Sequence, residues 1–379
     1  MEKLTMLDYV CMANGRMREN LDEGTRLASN LVNEFVASGA TSVRIVASGS
    51  SHNAADCARN YMQSVLGMQV VVVTPESYVA FEHAFPGDSF DVFISQSGYS
   101  TNVITALDFA HGLSRRTVVL TGNVTSPVAD HTDLTLAYGV GVESVDFVTL
   151  GVETLVLYLM LFAVGAARAA GKLDAAGERA RIAGLCNALD VHAAALDGTR
   201  AFIERERLSL ARRSPVMFVG NGPNCGVCEE AALKFAETLK RSTSFYEGEE
   251  FIHGPEMQID PSYLVFMVDD PAGSATIRRT AAALSKVSNG VYLVTSQPSG
   301  LAGEILLPAL DEPLACAIPN LAIFQTICAT LAQELDTWDV HPYLEKVEDA
   351  FEAKAPGYDG AVAALERRAE EQYPEGEAR

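Results

Sequence analysis

Short runs of β-branched and aliphatic residues alternate with longer stretches of helical period along most of this chain. Residues 1–38 interleave Leu, Met and Val with charge, which predicts amphipathic helix. Apolar runs then fall at 43–48 (VRIVAS), 69–74 (QVVVVT), 91–95 (DVFIS) and 117–121 (TVVLT), each predicted as a strand, with helical stretches between them. Thr125-Ser126-Pro127 signals a further helix start, a hydroxyl cap with proline at the first helical position. The longest apolar run, Leu155 to Ala167, falls short of the roughly 20 residues that span a bilayer and predicts a buried or subunit-interface helix around 151–170. Ala170 to Gly177 is polar and Gly-bearing and reads as a linker. A helix over 180–205 leads into a second series: strand 215–221, a helix containing Glu230, strand 263–268, helix 275–287, strand 290–295 and helix 319–335. The tail from Trp338 is charged, Ala-rich and predicted helical. This βαβ rhythm predicts an α/β fold with parallel sheets covered by helices on both faces.

The two halves repeat. Aligning Gly49 of IVASGSS with Gly222 of FVGNGPN, an offset of 173, also places VFISQSG (92–98) on VFMVDDP (265–271) with no gap between. Two strands in register at both ends point to a duplicated domain.

Composition narrows the function classes. The 379 residues suffice for two domains, and a net charge of −21 argues against nucleic acid or an anionic membrane as partner, because no basic stripe is present. The N-terminal stretch lacks the basic-then-apolar pattern of a signal peptide. Seven scattered cysteines, with Cys225-x-x-Cys228 the one close pair and no second pair at zinc spacing, fit a reduced, cytoplasmic protein without a metal.

The repeat divides the chemistry. After strand 91–95 the first half carries Ser95-Gln96-Ser97-Gly98-Tyr99-Ser100 and then a helix. Hydroxyls and backbone N–H groups at a helix N-terminus favour an anion, and Gly98 permits close backbone approach. The plain alternative is an ordinary serine-rich helix cap. Ser50 and Ser51, after a neighbouring parallel strand, add hydroxyls at the sheet edge where such folds bind ligands. The second half has Asp269 and Asp270 at the equivalent positions, which repel a phosphate. Instead it carries Glu230, Lys234 and Glu237 at i, i+4, i+7 on a helix, then His253-Gly254-Pro255. A carboxylate, an ammonium and an imidazole are the groups that move protons about a sugar carbonyl, although a surface ion pair and a loop histidine explain the same residues.

GSSHNAA, ISQSGYS with its helix, and E-x-x-LK-x-x-E followed by GEEFIHGP together resemble the tandem sugar-isomerase (SIS) proteins over roughly residues 40–345. The nearest members are the isomerase half of glucosamine-6-phosphate synthase and the fructosamine-6-phosphate deglycases, including those acting on fructoselysine and glucoselysine adducts. The resemblance implies two SIS domains (39–172 and 178–337) between an N-terminal helical segment (1–38) and a tail (338–379), each domain a flavodoxin-like three-layer sandwich. It implies that Ser51, Ser95, Gln96, Ser97 and Ser100 bind a sugar 6-phosphate. It also implies that Glu237 shuttles a proton between C1 and C2, assisted by Lys234, and that His253 assists ring opening. No cofactor is implied; a homodimer with a shared active site is. The anchoring half and the proton-handling half would form one composite site.

The departures from the synthase favour a deglycase. Glu2 stands where the synthase's glutamine-hydrolysing half carries its cysteine, so ammonia from glutamine is not expected. The synthase's C-terminal Arg-Asn-Leu-Ala-Lys run is replaced by a stretch in which Lys346 aligns only with a gap, leaving Lys346 a candidate Schiff-base lysine. Leu150 and Ala236 stand where the synthase has lysines, and Glu256 follows the His-Gly-Pro, a charge balance suited to an amine-bearing substrate. The alternatives are an aldose–ketose isomerase, an aminosugar-phosphate deaminase and a non-catalytic sugar-phosphate sensor.

Overall fold

The structure is a computed structural model that describes residues 4–145, 147–269, 273, 275–338, 344 and 348–372. The chain divides into two compact units, Met1–Ile182 with Val340–Arg379, and Ala183–Asp339. Asp270 and Lys346 lie outside the described residues.

In the first unit, five parallel strands stand in the order β2 (Gln69–Val73), β1 (Ser42–Val46), β3 (Ser89–Ile94), β4 (Val118–Thr121), β5 (Leu134–Ala137). Val46, Val73, Phe93 and Val119 pack on one face against α5 (Thr101–Gly112) and Tyr78, which follows the single turn α4 (Pro75–Ser77). The alternate residues Ile45, Val92, Ile94 and Leu120 are buried as well, so both faces are covered, as parallel sheets require. The N-terminal helix predicted over 1–38 is two helices, α1 (Met6–Glu23) and α2 (Ser29–Ser38), separated by a short 3-10 turn at Gly24–Arg26. Thr5 and Asp8 close α1 with a reciprocal capping box. α3 (Ser50–Leu66) follows β1, and it packs with α1 and α2 against α6 (Leu150–Ala169).

α6 corrects one expectation. The apolar run read as Leu155–Ala167 belongs to a helix of 20 residues, long and apolar enough to cross a membrane by composition, yet all of its 18-residue apolar window is buried inside the fold. The helix lies in the predicted place, around 151–170; Glu153 and Thr154 only shorten the apolar run within it, and both are themselves buried. Thr125-Ser126-Pro127 likewise starts only a five-residue 3-10 helix, Pro127–His131.

The second unit opens on α7 (Ala175–Arg212, of which the residues from Ala183 belong to this unit). Its sheet repeats the first in the order β7 (Thr243–Tyr246), β6 (Val216–Gly220), β8 (Leu264–Val268), β9 (Val291–Thr295), β10 (Glu304–Leu306), again all parallel. α8 (Pro223–Leu239) follows β6, the short α9 (Gly248–Phe251) follows β7, and α10 (Thr276–Leu284) precedes β9. One face of the sheet packs Met217, Val219, Val265 and Leu293 against Ile277 and Ala281 of α10. The other carries Phe218 stacked on Phe266 at 5.5 Å, with edge-on contacts to Phe235 of α8 and Phe324 of α11 (Ala317–Leu335). The segment 348–372, including α12 (Tyr358–Gln372), belongs to the first unit.

The repeat extends to backbone angles. Gly49 and Gly222, aligned by the offset, both cap the helix after the first strand of their sheet, at φ 56°, ψ −140° and φ 59°, ψ −126°. That region is open only to glycine, which explains the residue at both positions.

Candidate active site

In both sheets the chain order reverses between the first and third strands, opening a crevice at their C-terminal ends. In the first unit two loops meet there. Asn102 at the start of α5 donates from Nδ2 to Ser48 Oγ at the end of β1, 3.2 Å away. Ser51 lies in the first turn of α3, and Ser95–Ser100 links β3 to α5. Neither helix has an N-cap side-chain hydrogen bond, unlike α1; in α5 the Thr101 N–H instead donates to the Ala353 carbonyl and the Val103 N–H to Asn102 Oδ1. Within the loop, Ser95 Oγ donates to Ser100 Oγ at 3.1 Å and accepts from Gly98 N at 3.2 Å, while Ser97 Oγ accepts from Tyr99 N at 3.2 Å. The Ser95 and Ser100 hydroxyls are thus joined to each other, and that of Ser97 is held by the loop backbone.

Gln96 is held from below. Its Nε2 donates to Glu143 at 2.5 Å, while its buried Oε1 has no hydrogen-bond partner among the described residues. Glu143 is itself buried and accepts from the backbone N–H groups of Thr149, Leu150 and Gly151 at the start of α6. Burial raises the Glu143 pKa, opposed by the hydrogen bonds from Thr149, Gln96, Gly151 and Leu150. Any side chain at Gly151 would run into the Gln96 amide. Glu143 therefore ties the α6 N-terminus to the loop. Sequence reading passed over this role because the partners are far apart along the chain.

The second unit is built differently at the same place. Pro223 opens α8 and removes one N–H donor, and Asp269 occupies the position of Gln96. Its Oδ2 accepts from Arg278 at 2.6 Å and Thr295 at 2.8 Å. A cavity of about 190 Å³ beside it includes Asp269, Thr295, Gln297 and Asn320 in its lining, but neither Glu237 nor His253.

The titratable groups lie along α8 and after β7. Lys234 and Glu230 are buried and Glu237 sits in the last turn, its side chain 34% exposed. Lys234 Nζ lies 2.6 Å from Glu237 and 3.6 Å from Glu230. Burial alone would lower the Lys234 pKa, but the two carboxylates outweigh it and the net shift is upward. A carboxylate near a helix C-terminus meets the negative end of the dipole; the buried ammonium offsets that cost and fixes its orientation. His253 is exposed, with Nδ1 2.6 Å from the Glu249 carbonyl, which makes Nδ1 the donor and leaves Nε2 outward. The Glu249 carbonyl, and then the Glu250, Glu249 and Glu256 carboxylates, raise its pKa against slight desolvation. Among the described residues no hydrogen bond or ion pair joins His253 to Glu237, so the structure brings Lys234 to Glu237 but not His253.

The sequence profile of the SIS domain matches residues 38–164 and 209–309. The chain belongs to the SIS domain family. It carries two such domains, and its loops at Ser95–Ser100 and Gly49–Ser51 lie within the first match. A glutamine–fructose-6-phosphate aminotransferase (isomerizing) from Zymomonas mobilis is 27% identical over 287 residues, covering 74% of this chain and 46% of that protein. The chain spans about half the length of the curated relatives it matches. Among solved structures, a Clostridium difficile 630 protein assigned as a phosphosugar isomerase superposes with a TM-score of 0.82 at 23% identity, covering 91% of this chain and 98% of that one. Glucosamine-6-phosphate deaminase from Thermotoga maritima superposes with a TM-score of 0.65 at 21% identity, covering 88% and 98%. At such identities the structures speak to the SIS fold.

One prediction follows from the loop alone. Gly98 has φ 72°, and a Cβ there would collide with Ser126. Gly98→Ala is expected to cost about 2–4 kcal/mol from backbone strain plus overpacking. Thermal unfolding checks this. Ser126→Gly in the same chain should recover only the steric part.

Proposed function

We propose that this SIS protein is a phosphosugar-processing enzyme, and specifically a deglycase. It would cleave a fructosamine or glucosamine-type amino acid adduct 6-phosphate with water, giving hexose 6-phosphate and the free amine. The observation that carries the enzyme reading is Glu237, a carboxylate partly open to solvent whose ammonium partner, Lys234, is buried. A group held in this way serves as a base without reorganising. In this reading Ser51 and the Ser95–Ser100 hydroxyls anchor the phosphate. His253 protonates the ring oxygen, Glu237 moves the proton between C1 and C2, and water adds to the resulting imine carbon as the amine leaves.

An amine-bearing substrate is favoured by charge. Glu249, Glu250 and Glu256 surround His253, an environment that stabilises a cation. Two of the proteins named above, the aminotransferase and the deaminase, handle an amine together with a sugar phosphate, which supports the same class. The second reading, an isomerase or aminosugar-phosphate deaminase, needs the same enolisation and is favoured by the Thermotoga maritima deaminase's likeness in fold. We take the working form to be a cytoplasmic homodimer. His253 has exposed Ile252 and Met257 as near neighbours in the chain, a face that a second copy would cover while supplying His253 to its partner.

The test is incubation with fructoselysine 6-phosphate, glucoselysine 6-phosphate, glucosamine 6-phosphate and fructose 6-phosphate, with assays for amine and for hexose phosphate interconversion. Release of lysine is the expected result. Ammonia from glucosamine 6-phosphate, or interconversion without lysine release, would replace the deglycase reading by the second one. Binding without turnover would make the protein a sensor.

A further inference from the structure

The phosphate loop contains no permanently charged cation of its own; His52 is the one basic side chain in its two segments. Neither Ser48–Asn53 nor Ser95–Asn102 includes a lysine or arginine, and the chain as a whole carries −21. A phosphate monoester dianion held there by hydroxyls and N–H groups alone would sit in an unfavourable background potential. The C-terminal segment changes this. Residues 352–355 lie antiparallel to the start of α5, with Lys354 bridged to Ser100. Thr101 donates from N to the Ala353 carbonyl (3.3 Å) and from Oγ1 to the Glu352 carbonyl (2.8 Å), and Ala355 N donates to the Tyr99 carbonyl (2.8 Å). Glu352 adopts φ 45°, a strained value for a residue with a side chain, so the backbone is held to this path by its bonds.

The segment carries a lysine to the loop. Lys354 Nζ donates to Ser97 Oγ at 3.4 Å and lies 4.8 Å from the centre of the Tyr358 ring, which itself packs edge-on against Tyr99. Among the described residues no carboxylate is in ion-pair contact with this ammonium. The residue remains exposed to solvent, and the packing about its ammonium shifts its pKa below the ordinary lysine value. The strap takes up one N–H donor of α5, that of Thr101, and delivers a full charge beside Ser97 in exchange.

We propose that Lys354 is the cation of the phosphate site, placed by the fold-back of the C-terminal segment to pair with the phosphate of a sugar phosphate bound at Ser95–Ser100. This rests on the reading of that loop as the phosphate anchor. It gives the C-terminal region a second functional lysine beside the candidate Lys346, with a role in charge pairing and not in covalent chemistry.

The test is titration of the full chain with fructose 6-phosphate and with inorganic phosphate, at several salt concentrations. Lys354→Gln is expected to weaken both by about 10- to 100-fold, the span of one charge-assisted hydrogen bond. Lys354→Arg, which keeps the charge, should recover most of that, and Lys354→Met, which keeps the stem on Tyr358, should recover none. The salt dependence of binding should flatten in Lys354→Gln and Lys354→Met. Wild-type affinity in Lys354→Gln overturns the role of Lys354 and leaves the loop intact. Weakened affinity with unchanged salt dependence, or with Met as effective as Arg, makes Lys354 a structural prop and also overturns it. Failure of the wild type to bind either probe removes the phosphate loop and Lys354's role with it.

Discussion

Replacing Glu237 by glutamine is expected to lower turnover by about 10²–10⁴-fold while fructose 6-phosphate still binds, because the amide keeps the shape and loses the base. Glutamine still accepts from Lys234 across the 2.6 Å contact, so the helix is undisturbed. Equal activity in the variant would remove Glu237 from the mechanism. The same assay reads His253 through pH. Its pKa is raised above 6.5 by the Glu249 carbonyl and the neighbouring carboxylates, so the protonated form that assists ring opening persists to higher pH than in a free histidine. The alkaline limb of the rate profile is therefore expected above pH 6.5, and Glu250→Gln should draw it back. Mixing inactive Glu237→Gln and His253→Ala chains restores activity if each site draws its two groups from two chains. If exchange is verified and no activity returns, the shared-site homodimer is wrong.

How much of this was legible in the sequence depends on whether the determining contacts are local. β6 and β8 are central strands buried on both faces and appear as continuous apolar runs, while β1 and β3, equally buried, each carry one charged residue, Arg44 and Asp91, that pair with each other. The strands that went unread, β5, β7 and β10, are short and lie at or near the sheet edges, where one side stays partly exposed and the hydrophobic signal is halved. The Gly49–Gly222 repeat was legible because both positions require the same backbone. The loop residues Ser95–Ser100 were legible as a pattern, but not what supports them. Glu143 reaches Gln96 across 47 residues, and Lys354 reaches Ser97 across 257. Neither separation leaves a local trace. Glu230 shows the reverse difficulty, since its i, i+4 spacing to Lys234 looks the same on a solvated helix face as in the buried position it occupies.

That burial makes Lys234 the position of largest expected effect on stability. Its side chain is 2% exposed and that of Glu230 1%, so the pair has been taken out of water together. Lys234→Met removes the cation beside the buried Glu230 carboxylate, with an expected loss of about 3–5 kcal/mol in urea unfolding. The double variant Glu230→Gln/Lys234→Met removes both charges and should recover most of that loss, because two neutral groups of similar volume have no charge left to desolvate. The sign of the pH dependence separates this from simple loss of packing. The Lys234 pKa is raised above 10.5 on folding, so the stability it contributes is fully present below pH 10.5 and is lost only as the pH rises through the folded value. The wild type should therefore show no Lys234 titration through the neutral range. In Lys234→Met the buried carboxylate, having lost the ammonium beside it, escapes its charge by taking up a proton, so the gap to wild type should narrow as the pH is lowered below neutrality. A gap independent of pH, or a single variant within about 1 kcal/mol of wild type, would mean that the ammonium is not compensating a buried charge. Glu237 would then owe its orientation to something other than Lys234.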